Sequence, residues 1–326
     1  MWEIARAGHP WARLRVLRDG MATLRASMLA AGIASDVLPR LAERPDDLPG
    51  LARRVGVTDE GLLEGFLNVL ASAGLLVVRA GRWRPTKRAR AVLDDPVARA
   101  AAVAYGGYYT DLYQRRPDQL RGGPARTDLD DHADTIAAVS GALQPLVDHL
   151  IRTAVEQARP ARVLDVGCGT GEQLALMLTT AGPSTTGLGV ESAPGVARTA
   201  QQRLAEIGLG SRASVLAMEA TDLPARIDAH GGPVDLMLLA NVVYYLPTGE
   251  QAAFLAGLRP LLRPGGAMLI ITTVASDDLF ARHFDLLLRA QGRGIAVPHL
   301  QRLTATVREA GYADVAVERA APRAPF

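Results

Sequence analysis

From residue 161 onward the sequence alternates between two textures, and this alternation constrains the fold more than any other feature. Short apolar runs recur at RVLDVG (162–167), TGLGVE (186–191), ASVLAM (213–218), VDLMLLAN (234–241) and AMLIITTV (267–274). Between them, QLALMLTT, PGVARTAQQRLAEIG and EQAAFLAGLRPLL place apolar residues at helical spacing. A strand without polar alternation is buried on both faces, and a helix after each strand returns the chain for parallel pairing. The expected fold class is α/β, a doubly wound and mostly parallel sheet over 161–326. YADVAVERA (312–320) reads as one more strand, with its hairpin partner due to begin in APRAPF (321–326).

The upstream part reads differently. Leu14, Leu17, Met21, Leu24, Met28 and Leu29 recur at helical spacing, as do Ile33, Val37, Leu38 and Leu41. LPGLARRVG is a short helix closed by Gly56, and Thr58 is placed to cap the helix TDEGLLEGFLNVLASAG, which Gly74 ends. LLVVRAGRWRPT then gives two strands about Ala80-Gly81. Helix, turn, helix and two-stranded wing define a winged-helix-like domain over 1–95, all-helical apart from that wing. Residues 96–160 read as a helical linker that lines a pocket, with tyrosines and glycines crowded into AYGGYYTDLYQRRPDQLRGGP.

Charge and cysteine content bound the partners. The formal net charge of +2 over 326 residues makes no case for nucleic acid or an anionic membrane. The helix that would enter a DNA groove starts with Thr58, Asp59 and Glu60, with Glu64 one turn on, so its carboxylates would face phosphates. Cys168 is the only cysteine, which excludes an intrachain disulfide. A metal held by a pair among His132, His283 and His299 has no spacing to support it, so none is expected. The N-terminus MWEIARAGHPWARLR has no apolar core of a signal peptide, and no run has the length of a membrane span. A cytoplasmic protein is expected.

The chemistry starts where the first strand of this region ends, in VLDVGCGTGEQLALML. Gly167, Gly169 and Gly171 let the backbone approach a ligand and expose amides at a helix N-terminus. Glu191 ends the second strand, 20 residues after Gly171, where an acidic side chain reaches ribose hydroxyls. A dinucleotide would need G-x-G-x-x-G, and Glu172 beside the helix N-terminus would repel its pyrophosphate. Asp165 is likewise a poor phosphate neighbour and a good partner for an ammonium group. S-adenosylmethionine has an ammonium and a sulfonium and no phosphate.

Read together, "VLDVGCGTG", "GLGVESAPGVARTA", "VLAMEATDLP", "VDLMLLANVVYYLP" and "LLRPGGAMLIITT" resemble the ordered motifs of the class I S-adenosylmethionine-dependent methyltransferases. The resemblance implies a Rossmann-like domain, with Asp165 and Gly167 toward the amino-acid end of the cofactor and Glu191 toward the ribose. It places Glu219 and Ala220 at the adenine and Asn241 beside the methyl donor. "LARRVGVTDEGLLEGFLNVLASAGLL" and "YYTDLYQRRPDQLRGGP" resemble the dimerising front domain of bacterial small-molecule O-methyltransferases. That subgroup implies a homodimer acting on a small acceptor in specialised metabolism, such as antibiotic biosynthesis. Two other readings remain: a cofactor-binding relative that catalyses a non-methylating reaction, and a winged-helix transcription regulator.

The resembling enzymes carry a histidine base after the fourth strand. Here that position falls near Tyr244, and a neutral phenol is a poor base. His132, ahead of the α/β domain, and His283, in an inserted helix flanked by Phe280 and Phe284, are the alternative bases. The acceptor atom is accordingly open among oxygen, nitrogen and carbon, with oxygen favoured. Tyr105, Tyr108, Tyr109 and Tyr245 are candidate acceptor-binding residues that suit an apolar or aromatic molecule.

Overall fold

A computed structural model of the chain describes residues 9–318. It divides into two compact units, Met1–Ala142 and Leu143–Phe326, so the boundary falls inside the segment read as a linker. Residues 1–8 and 319–326, which include the end of the expected last strand and the APRAPF tail, lie outside the described residues.

The first unit opens with α1 (Pro10–Ala34), where proline occupies the first turn and its fixed φ costs nothing. α2 (Val37–Glu43) and α3 (Leu48–Val55) follow. Asp47 caps α3 by accepting from the Gly50 amide at 2.8 Å, and Gly56 closes it at φ 71°. α4 (Glu60–Ser72) is capped by Asp59, which accepts from the Leu62 amide at 2.9 Å. The cap therefore falls one residue after Thr58: the aspartate carboxylate reaches the free amide, and helix geometry begins behind it. β1 (Leu76–Arg79) and β2 (Arg82–Pro85) pair antiparallel about Ala80 (φ 51°) and Gly81 (φ 70°). Two successive positive φ values match the right-handed twist of a tight hairpin. Leu38, Leu41, Leu51, Leu67 and Leu70 are fully buried at the centre of this part. Each stabilises the fold by about 1.5–3 kcal/mol through removal from water.

After the wing come α5 (Lys87–Asp94) and α6 (Pro96–Val103). A π-helical turn over Ala104–Tyr108 leads into α7 (Tyr109–Gln114) and α8 (Arg116–Leu120). α9 (Asp128–Asp131) and α10 (Ala133–Ser140) complete the unit. A Cβ on Gly106 would lie 2.3 Å from the Ala26 carbonyl oxygen, so only glycine lets the π-turn cross α1 this closely.

The second unit begins with α11 (Gln144–Ala158) and then alternates as the sequence predicts. In order come β3 (Arg162–Val166), α12 (Glu172–Ala181), β4 (Thr186–Glu191), α13 (Pro194–Glu206) and β5 (Ala213–Ala217). β6 (Val234–Ala240), α14 (Gln251–Leu258), β7 (Leu262–Ile271), α15 (Leu279–Ala290) and α16 (Leu300–Glu309) follow. The five strands are parallel in the order β5-β4-β3-β6-β7. Leu164, Val166, Met237 and Leu239 enter one core, and Val163, Leu236 and Leu238 enter another. The strict period of two thus buries both faces. β7 starts five residues before the expected Ala267 and ends before Thr272, with an irregular register between Val234 and Leu236.

The last sequence expectation needs correction. Residues 312–318 form no strand. Tyr312 instead donates from its hydroxyl to the Leu255 carbonyl at 3.0 Å, and Tyr312 and Val315 pack against the core. The segment is held by side chains rather than by a backbone ladder. Among the described residues no single helix is long and apolar enough to cross a membrane.

Candidate functional site

The strand order fixes where a ligand can sit. The chain runs outward from β3 through β4 to β5, then resumes at β6 on the other side of β3. Loops leaving the carboxyl ends of β3 and β6 diverge there and open a crevice. The loop after β3 is the glycine loop, and Gly167, Gly169 and Gly171 all have positive φ, at 71°, 52° and 80°. The Gly167 and Cys168 amides both donate to the Val190 carbonyl, at 2.8 and 3.0 Å, which docks the loop on β4.

Four loops of this unit converge on that point. Glu191 ends β4, and one carboxylate oxygen accepts from the Gly169 amide at 3.1 Å while the other accepts from the Ala193 amide at 3.0 Å. Each oxygen keeps a lone pair for a ligand hydroxyl. The Met218 amide donates to the Glu191 carbonyl at 3.1 Å, which brings up the loop after β5. On that loop Glu219 is exposed, and Ala220 opens a 3-10 turn (Ala220–Asp222). Asn241 follows β6 at φ 59°, a left-handed conformation that asparagine tolerates better than most residues, and its amide donates to the Ile271 carbonyl. Val242 then lies against Gly167: a Cβ there would be 2.8 Å from a Val242 methyl.

Asp165, the fourth residue of β3, is only 1% exposed, and its Oδ2 has no hydrogen-bond partner. Burial pushes its pKa up to about 7, the Glu191 charge adds to the rise, and the Leu174 amide opposes it. A desolvated, half-satisfied carboxylate demands a cation or a donor from a ligand. Glu172, by contrast, is committed to Arg203. The Cys168 thiol is buried and its pKa is pushed to about 12, mainly by desolvation, so it is inert filling within the loop. These residues fit S-adenosylmethionine: glycine backbone for close approach, a carboxylate for an ammonium, and lone pairs for ribose.

The candidate bases and acceptor residues fall into both units. In the second, the turn after β6 (Val243–Tyr245) carries Tyr244, buried at 5% exposure, and the exposed Tyr245. Their rings meet edge-to-face at 4.6 Å, and Tyr244 meets Phe284 of α15 at 5.0 Å. Burial holds the Tyr244 phenol well above its ordinary pKa, with Tyr245 adding to the rise. His283 lies buried on the same helix as Phe284, and desolvation lowers its pKa. In the first unit, Tyr108 stacks on His132 at 4.5 Å and tilts against Tyr109 at 4.3 Å, while Tyr105 meets Tyr109 at 5.1 Å. Tyr108 and Tyr109 are buried and Tyr105 is exposed.

Two features escape a reading of the sequence. Val242 gives no signal in a run of apolar residues, although it meets the glycine loop. Arg126 makes a bidentate pair with buried Asp128, both bonds at 2.6 Å, and reaches Asp111 at 3.2 Å. This ties the 121–127 loop to α7. Only the richness of that stretch in Arg and Asp hinted at it.

Comparison with known proteins agrees with the geometry. Residues 163–266 match the methyltransferase domain family. The 2-ketoarginine methyltransferase of Streptomyces arginensis is 31% identical over 182 residues, which cover 54% of this chain and 52% of that one. The chain thus spans about half the length of this curated relative. The mitomycin 7-O-methyltransferase MmcR superposes with a TM-score of 0.73 at 20% identity, over 94% of this chain and 93% of that one. PigF, solved with S-adenosylhomocysteine, gives 0.74 at 20% identity over 92% and 94%. At such identities the structures establish a shared fold. S-adenosylmethionine is the cofactor that fits this site, and residues 163–266 of the chain carry a methyltransferase domain.

Proposed function

We propose that this protein transfers a methyl group from S-adenosylmethionine to a small apolar or aromatic acceptor in bacterial specialised metabolism, antibiotic biosynthesis included. The observation that carries this reading is the buried, half-satisfied Asp165 beneath a glycine loop that Glu191 braces. Asp165 and Gly167 face the amino-acid end of the cofactor. Glu191 would hold the ribose hydroxyls, Glu219 and Ala220 would border the adenine, and Asn241 would stand on the donor-methyl side. When bound, the cofactor supplies a methyl group on a sulfonium, and that carbon–sulfur bond breaks as the acceptor bond forms.

The residues of the chain position, exclude water and handle one proton. Tyr244 keeps its proton at neutral pH because its phenol is desolvated, so it acts as a wall rather than as a base. His283 is neutral for the same physical reason, which leaves an imidazole able to accept a proton. We take His283 as the base where the acceptor needs one, with Tyr245 as an acceptor wall. Tyr105, Tyr108, Tyr109 and His132 form an aromatic group that suits a planar acceptor. Positioning and desolvation then supply most of the acceleration. Oxygen is the favoured acceptor atom: the fold is shared with the mitomycin 7-O-methyltransferase, whereas the relative matched in sequence is named for 2-ketoarginine.

A second reading, a non-methylating relative, is favoured by one observation, the phenol at the position of the usual histidine base. Incubation with methyl-labelled S-adenosylmethionine and a panel of phenols, amines and 2-oxo acids decides between them. Labelled product with one equivalent of S-adenosylhomocysteine supports methyl transfer. A transformed acceptor without S-adenosylhomocysteine supports the second reading.

We also propose a cytoplasmic homodimer formed through the first unit. The lone buried cysteine suits a reducing compartment. Trp11, Leu14, Leu17, Met21 and Leu24 project outward along one stripe of α1, and Trp11 and Leu17 are 81% and 66% exposed. A contiguous apolar stripe on a helix marks an interaction surface.

A further inference from the structure

Gln251, the first residue of α14, is a buried amide at 3% exposure. An amide removed from water must place its donors on acceptors. Its Nε2 donates to the Val243 carbonyl at 3.1 Å and to the Leu246 carbonyl at 3.4 Å. These carbonyls stand at the two ends of the turn after β6, so one side chain spans the whole turn. The turn has its own bonds, from the Tyr245 amide to the Val242 carbonyl at 3.0 Å and from the Leu246 amide to the Val243 carbonyl at 3.2 Å. Asn241, at a left-handed φ of 59°, leads from β6 toward this turn. Val242, between Asn241 and the turn, lies directly against Gly167.

We propose that Gln251 is a positioning residue for the cofactor: it clamps the 243–246 turn behind Val242, so that Val242 closes over the glycine loop at Gly167. Gln251 sets S-adenosylmethionine affinity without touching the ligand, acting through a turn whose two ends it holds. The inference rests on the cofactor reading above. The chain of contacts runs from the Gln251 amide to two carbonyls, from the turn to Val242, and from Val242 to the loop backbone.

The test uses the full chain and S-adenosylhomocysteine as probe. Its Kd is measured by calorimetry for the native protein, Gln251→Met, Gln251→Glu, Val242→Ala and the Gln251→Met/Val242→Ala double variant, all below their unfolding temperatures. Gln251→Met keeps the volume and removes both donors, and binding should weaken roughly tenfold, because the Val243 carbonyl keeps only the Leu246 amide and the Leu246 carbonyl loses its side-chain donor. Gln251→Glu, whose carboxylate would face two carbonyl oxygens, should weaken it at least as much. Amide hydrogen exchange should speed up across 242–246 and not across the sheet. The double variant should be no weaker than the worse single one, because both act through the same contact.

Native-like affinity in Gln251→Met would overturn the proposal, as would effects that multiply in the double variant or exchange that rises throughout the second unit. Should Gln251→Met not fold, Gln251→Asn, which keeps the amide and loses its reach, carries the same expectation. Failure of the native protein to bind S-adenosylhomocysteine would instead overturn the cofactor reading itself.

Discussion

Asp165 concentrates the chemistry of the site in one carboxyl group. Its pKa of about 7 lies above the ordinary carboxylate value of about 3.9 because burial penalises the charge. A raised carboxyl pKa means that the folded state holds a proton the unfolded chain has lost, so this group lowers stability as pH climbs from about 4 to 7. A cationic ligand reverses that preference. Below about pH 7 the protein must lose the Asp165 proton to face an ammonium group, so cofactor affinity should fall with acidity by up to tenfold per unit. Calorimetry in two buffers of different ionisation enthalpy should show proton release on binding at pH 6. Asp165→Asn should abolish both the slope and the release; a slope that survives it would remove Asp165 from the ammonium site. Tyr244 gives the opposite prediction. A phenol that stays protonated is not a base, so Tyr244→Phe should keep turnover within about threefold and leave the acid limb of the pH–rate profile in place. His283→Ala should remove that limb.

At the scale of elements, glycines mark where backbone meets backbone. Gly167→Ala would put a methyl 2.8 Å from Val242 at a φ of 71°. The expected cost is about 1–3 kcal/mol for the strained conformation, with S-adenosylhomocysteine binding weakened at least tenfold in a calorimetric titration. Gly106→Ala should cost a similar 1–3 kcal/mol in the first unit, read as a lowered midpoint in urea, because the new methyl meets the Ala26 carbonyl and not a movable side chain. The two sites differ in how legible they were. The Gly167 loop was visible because its chemistry is local: strand, three spaced glycines and an acid on the next strand are all written in order. The same holds for the β1–β2 hairpin, which two residues specify. Gly106 was not visible, because its partner on α1 lies 80 residues earlier and no short-range pattern encodes the crossing. Val242 was hidden for the same reason; Gln251 was hidden although its partners are near in sequence, because a glutamine at a helix start gives no sign that it will be buried. The last strand was misread because alternation in YADVAVERA predicts pleating, whereas a strand also needs a neighbour to pair with.

For the whole molecule, the exposed face of α1 is the proposed interface between two copies of the chain. Helical spacing in the sequence identifies a stripe of Leu14, Leu17, Met21 and Leu24 without saying which way it faces. The described structure buries the second half of the helix, at Ala30 and Ile33, and leaves the first half bare. A stable dimer buries about 1,200–2,000 Å² in all, and a stripe of five large apolar residues supplies its core rather than its full extent. Leu17→Asp combined with Met21→Asp places two charges at the centre of that stripe, and an unpaired buried charge costs several kcal/mol. Sedimentation should therefore show the native protein as a dimer at micromolar concentration and the double variant as a monomer. S-adenosylhomocysteine affinity should be unchanged in that monomer, because every proposed cofactor residue belongs to the second unit. Acceptor turnover is the discriminating readout: if both activity and cofactor binding survive in the monomer, dimerisation serves stability alone. A native protein that sediments as a monomer would leave the α1 stripe without its proposed partner.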